Sequence, residues 1–374
     1  YPDGLEDRVR GVARARVAAA LRRTGPARRI DLIHYLAAET TYAIIDQILG
    51  VRGPTWLTEL GLALPFSRQH AGELHPEWLA ALSGRKPDNP GMASMQIWSV
   101  LVLADLIGNV KNIQDLKPLS QQAALEMLTH IDSILARARA KRPETPGTLV
   151  DAFVASEGDW YKNKYPNCNY YRDVSMLLFE LAGTALAVVP LTFASVFTTL
   201  FDFRIDLGTL AKIFDVGPRY YIGTDEAPDY RGPSGWERLV YEAERFNPNM
   251  PVRLRQCVKN TVLPSKAKIS AGEWVTVIIK AALFDERGGF DKQFSLAPFL
   301  PGPERDISKY LLFGVSTSDR DCWGRDRIAL IILIECLKAA SRLEGLRRVA
   351  GPNGEVKKML TVPIGMWARF TRVR

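Results

Sequence analysis

A single, mainly α domain with a few small β-sheets is what this 374-residue sequence predicts. Three observations lead there. Helical patterns run through most of the chain. Stretches with strand character are short and few, and no long Gly/Ser/Pro linker breaks the pattern, so one domain over 1–374 is expected. A 47% hydrophobic and 24% charged composition with mean hydropathy near zero suits a globular chain long enough to bury a substantial core.

In order, helices are expected near 5–23, 30–50, 54–66, 93–109, 118–141, 146–157, 171–203, 207–214, 233–246 and 324–342. Strands are expected over 252–258, 274–279 and 357–361. The chain opens without Met on an arginine-dense helix, Asp7 to Arg23, which reads as a fragment of a longer polypeptide. The uncharged run Leu181–Phe201 is about as long as a bilayer span, ~20 residues. Glu180 and Asp202 bound it closely, Pro190 interrupts it, and five Ser or Thr residues dilute it. A helix through the centre of a large domain is apolar all round for the same reason, so no transmembrane span is expected. Pro190 should kink that helix by removing one N–H.

The net charge of +8 is spread from Arg8–Arg29 through Arg137–Arg142 to Arg347–Lys358. Solvated helix faces account for it; nucleic acid is not an expected partner, and carboxylate-headed fatty acids would benefit from the potential. Cys168, Cys257, Cys322 and Cys336 show no metal-ligand spacing and no disulfide framework, which fits an intracellular compartment, cytoplasmic or peripheral to a membrane. His34, His70, His75 and His130 are scattered without zinc-like spacing.

Chemistry concentrates late in the chain. Cys322 sits in Phe313-Gly-Val-Ser-Thr-Ser-Asp-Arg320-Asp-Cys322-Trp-Gly324, directly ahead of an apolar helix. Free N–H groups at that helix start, with Arg320 nearby, suit an ionised thiolate holding a haem iron. Arg320 could reach a haem propionate, and Gly324 would let backbone pass close under the ring. The alternative is an ordinary buried cysteine. Upstream, Glu242-Ala-Glu-Arg245-Phe-Asn-Pro248 sets an acid and an arginine on one helix face, where they can pair.

This order of glutamate, arginine, proline and cysteine loop resembles the cytochrome P450 superfamily. The segment Leu346 to Lys358 and the stretch Ala182-Gly183-Thr184-Ala185 narrow the resemblance to the P450-like domain of fungal fatty-acid dioxygenase fusions, the linoleate diol synthase or psi-factor oxygenase family. The likeness covers roughly 174–374. It implies a P450-like helical fold with small sheets, lacking its N-terminal part. It also implies haem b with an axial thiolate from Cys322, and propionate or ring contacts from Arg253, Arg255, Phe313, Arg320 and Gly324. Glu242 and Arg245 become the structural pair, and the helix around Ala185 to Thr192 the distal wall.

The implied activity is rearrangement of a fatty-acid hydroperoxide to a diol, epoxy alcohol or allene oxide, beside a fused or associated dioxygenase; a homo-oligomer is open. Thr184, Leu191 and Thr192 are the candidate catalytic positions, Leu191-Thr192 standing where the family carries Asn-Gln. Ser316 and Ser318 replace glycines of the cysteine loop, and Phe313-Gly314 lies two residues further from the cysteine than usual. These departures keep a degenerate, structural haem domain as the alternative. Ala185 and Leu186 stand where oxygen-activating relatives place an acid and an alcohol, which disfavours a third reading, NADPH-driven monooxygenation of a small lipophilic substrate.

Overall fold

The first helix shows how the pattern becomes structure. In α1, Leu5–Arg23, the residues Leu5, Val9, Ala13, Val17, Ala20 and Leu21 recur every three or four positions and are all buried. That stripe packs on the helix Leu330–Ser341. The contact is stitched by Arg14, whose Nε and Nη2 donate to Glu335 at 3.0 and 3.3 Å. Arg23 likewise holds Glu39 at 2.8 and 3.0 Å.

The computed structural model describes residues 4–24, 28–54, 89–107, 113–141, 146–216, 235–249, 252–284, 292–294, 328–359 and 362–374. The helix expected at 54–66 and the whole Phe313–Gly324 loop lie outside these. Two compact units are distinguished: residues 1–194 with 324–374, and residues 195–323.

In the first unit, the expected 30–50 helix begins instead as a strand. Arg29–Asp31 pairs with Trp367–Arg369, which pairs with Arg347–Arg348, in a three-stranded antiparallel sheet. Asp31 then turns the chain: its Oδ1 accepts from the N–H groups of Ile33, His34 and Met366 at 2.9–3.1 Å. Glycine at 365 leaves room for this turn, since an added Cβ would sit 2.6 Å from Asp31 Oδ2 and push on it. The chain continues as a π-helical run Leu32–Ala38, an α-helix Glu39–Ile44 and a second π run Ile45–Leu49. The helices Pro90–Ile107 and Ile113–Lys141 pack together, and a capping box of Thr148 and Asp151 starts the helix Leu149–Ala155. The small strands Leu343–Glu344, Lys357–Met359, Val362–Gly365 and Arg372–Val373 complete two further ribbons.

The 33-residue helix Tyr170–Asp202 is continuous through Pro190. Its larger part, up to Ala194, belongs to the first unit, where Gly183 lies against Met127 and Ser175 donates to Asp132. The second unit holds its C-terminal end, the helices Leu207–Val216 and Gly235–Phe246, and a long antiparallel hairpin. Val252–Gln256 pairs with Trp274–Ile278, and Thr261–Val262 with Lys268–Ile269 in the same register, so 252–278 forms one arm. The short helix Ile279–Ala282 follows.

Candidate functional site

Glu242 and Arg245 lie on the helix Gly235–Phe246, whose inner face carries Trp236, Leu239, Val240 and Ala243. Spacing of three residues brings their side chains together: Arg245 Nε and Nη2 each donate to a Glu242 oxygen at 2.8 Å. Both residues are at most 1% exposed. A buried ion pair is tolerated when remaining donors are also met. Arg245 meets this by donating from Nη1 to the Leu283 carbonyl at 3.3 Å and from Nη2 to the Gln293 carbonyl at 3.1 Å. Its guanidinium carbon lies 4.4 and 5.0 Å from the ring centroids of Phe246 and Phe284. The pair is therefore a brace: it ties one helix to two backbone points further along the chain.

Between them, Glu244 is a carboxyl that sequence reasoning passed over. It is fully buried; Oε2 accepts from Asn249 N–H at 3.3 Å, and Oε1 has no partner among the described residues. Burial pushes its pKa well above the usual carboxylate range, only partly offset by that N–H. The only available signal was its place one residue before Arg245, inside an amphipathic helix.

The central helix presents a second feature. Leu178, Ala182, Leu186, Val189 and Phe193 are buried. On the other side Leu177, Leu181, Thr184, Val188 and Leu191 follow helical spacing and stay exposed or half-buried. Of the candidate catalytic positions, Thr184 and Leu191 share this open, mostly apolar face with half-buried Ala185, whereas Thr192 is buried. The Thr184 hydroxyl donates to the Glu180 carbonyl one turn back, so its proton is committed to the helix itself. Arg253 and Arg255 lie in the strand Val252–Gln256, paired with Val277 and Val275, and Arg255 is exposed. Phe313, Arg320, Cys322 and Gly324 lie outside the described residues.

The thiols narrow the ligand question. Cys336 is buried and donates to the Leu36 carbonyl at 3.1 Å, and burial pushes its pKa up, away from a thiolate. Cys257 donates to the Lys259 carbonyl at 2.9 Å, and Cys168 is exposed in a loop. Among the described residues no His/Cys/Asp/Glu cluster could hold a metal ion.

No family model matches the chain. Solved structures do. The acyl-carrier-protein complex of P450BioI superposes with TM-score 0.67 at 12% identity, over 99% of this chain and 76% of that one. CalO2 gives 0.66 at 17% identity over 99% and 75%, and the polyketide-synthase P450 PksS of Bacillus subtilis gives 0.66 at 14% over 100% and 76%. The fold is that of the cytochromes P450. About a quarter of each P450 neighbour has no counterpart in this chain. A bifunctional dioxygenase-epoxy alcohol synthase of Fusarium oxysporum is 40% identical over 62 residues, 17% of this chain and 5% of that protein, so the match spans a small part of that relative's length. Within this fold the Glu242–Arg245 pair occupies a helix directly ahead of the hairpin arm.

Proposed function

We propose that this chain is a haem-thiolate domain that rearranges oxygenated unsaturated fatty acids, taking a hydroperoxide to a diol, epoxy alcohol or allene oxide. The observation that carries the reading is the open face of the central helix: Leu177, Leu181, Val188 and Leu191 offer contact to an alkyl chain, and the one hydroxyl there, on Thr184, is committed to Glu180. Thiolate-ligated haem iron, when bound, supplies O–O bond cleavage. Cys322 is the residue that would hold it, its charge favoured by Arg320 and by the start of the following helix. The Glu242–Arg245 brace anchors the chain at Leu283 and Gln293, ahead of Cys322 in sequence. Leu177, Leu181, Val188 and Leu191 bring no acid to this face and its one hydroxyl is committed to the helix, so they offer no side-chain proton relay; this favours a substrate that arrives with its own O–O bond over dioxygen activation with NADPH. The partial match to a dioxygenase-epoxy alcohol synthase supports the substrate class and a dioxygenase partner.

The second reading, a degenerate domain with a structural role beside a dioxygenase, is favoured by Ser316, Ser318 and Leu191-Thr192 at positions where the resembling family has glycines and Asn-Gln. One experiment separates the two. Full-length, haem-supplemented protein is reduced, exposed to carbon monoxide and scanned beside Cys322→Ser. A thiolate-type Soret band lost in the variant is expected; no haem uptake by the native chain would replace the enzyme by the structural domain.

A further inference from the structure

The hairpin arm 252–278 has no core of its own. Every residue in it with a described side-chain environment is exposed or half-buried, none buried. Near the tip Val258 is 89% exposed, Val262 63% and Leu263 40%. Single exposed apolar residues are ordinary, but several on one short ribbon call for a partner. The charge is equally one-sided: from Val252 to Gly272 the sequence carries five basic residues and no acid. Lys259, Lys266 and Lys268 are all exposed, and none forms an ion pair among the described residues. The first acid, Glu273, accepts instead from the Ser270 N–H at 2.6 Å.

The tip is built rather than frayed. Val262 stands directly opposite Lys268. Leu263 N–H donates to Ala267 O at 2.9 Å, Lys266 N–H to Leu263 O at 2.8 Å, and Ala271 N–H to the Asn260 side chain at 2.9 Å. Lysine and aliphatic side chains therefore leave the same short ribbon together.

We infer that this hairpin tip docks on an anionic lipid surface, with Val258, Val262 and Leu263 entering the headgroup–acyl boundary and Lys259, Lys266 and Lys268 meeting lipid phosphates and carboxylates. A polyanion such as RNA would satisfy the lysines and leave the aliphatic residues in water. A neutral apolar protein surface would do the reverse. The lipid interface meets both at once, because apolar burial and cationic attraction add there.

The inference is independent of the haem chemistry, and its test needs no activity. The full chain is sedimented with vesicles of phosphatidylcholine alone and of phosphatidylcholine with phosphatidylserine. Two triple variants run in parallel, Lys259→Glu/Lys266→Glu/Lys268→Glu and Val258→Ser/Val262→Ser/Leu263→Ser. Binding that requires phosphatidylserine, weakens with salt and falls at least about tenfold in each variant is expected. All six side chains are exposed, so unchanged circular dichroism and thermal midpoint are expected in both sets, and either set alone decides the matter. Absence of binding, equal binding to both vesicle types, or variants that bind like the native chain would overturn it. So would self-association without lipid that the serine set abolishes, which would give the patch to a second copy.

Discussion

Glu244 is a carboxyl with one oxygen satisfied and one stranded, inside a helix otherwise optimised for burial. Its pKa is raised in the folded chain, so the folded state binds a proton that the unfolded state releases once pH passes the ordinary carboxylate value. The sign follows: the stability it permits is fully present in acid and is lost as pH rises from there towards the raised value. Across that window the loss reaches about 1.4 kcal/mol per pH unit. Glu244→Gln keeps an acceptor for Asn249 and removes the titration. Urea unfolding at pH 5 and pH 8 should show the variant gaining on the native chain as pH rises; parallel pH profiles would refute the assignment. Arg245, one residue on, shows the opposite economy, with each hydrogen-bonding nitrogen directed to a carboxylate or a carbonyl.

At the scale of elements, that arginine acts as a joint. The helix Gly235–Phe246, Leu283 and Gln293 meet at one guanidinium, and only a planar fork with several donors reaches all three. Arg245→Lys keeps the charge but loses the fork, and a broken buried pair costs about 3–5 kcal/mol. Chemical denaturation should show a loss of that order or failure to fold, with Arg245→Ala no milder. The Glu242–Arg245 pairing within this joint was legible in the sequence, because residues three apart on a helix share a face; the anchors at Leu283 and Gln293 were not. The long helix 170–202 was equally legible from composition, as were 5–23 and both strands of the arm's base. The strand Arg29–Asp31 was not: its partners are residues 367–369, and three residues carry no period. The π runs around Glu39–Ile44 hid for the same reason, since their register is set by Asp31 and by packing rather than by local preference. Of the candidate site, spacing revealed the Glu242–Arg245 pair; the open face of the central helix came from tertiary packing, which an all-apolar run cannot disclose.

At the scale of the molecule, one helix among the described residues, Tyr170–Asp202, is long and apolar enough to cross a membrane by length and composition alone. Its Gly183 contact with Met127 and its Ser175–Asp132 hydrogen bond belong to a packed protein interior. Alkaline carbonate should therefore release the expressed chain from any membrane fraction, whereas retention would make that helix a span. The arm has a separate consequence. Val252 and Ile278 face each other across its base, and the Arg245–Leu283 hydrogen bond joins the chain just before the arm to the chain just after it. Paired strands lie about 5 Å apart, so a short turn could close the base at Val252 and Ile278. The 27 residues between are thus a cassette, removable or exchangeable for another hairpin while the brace keeps the stump closed.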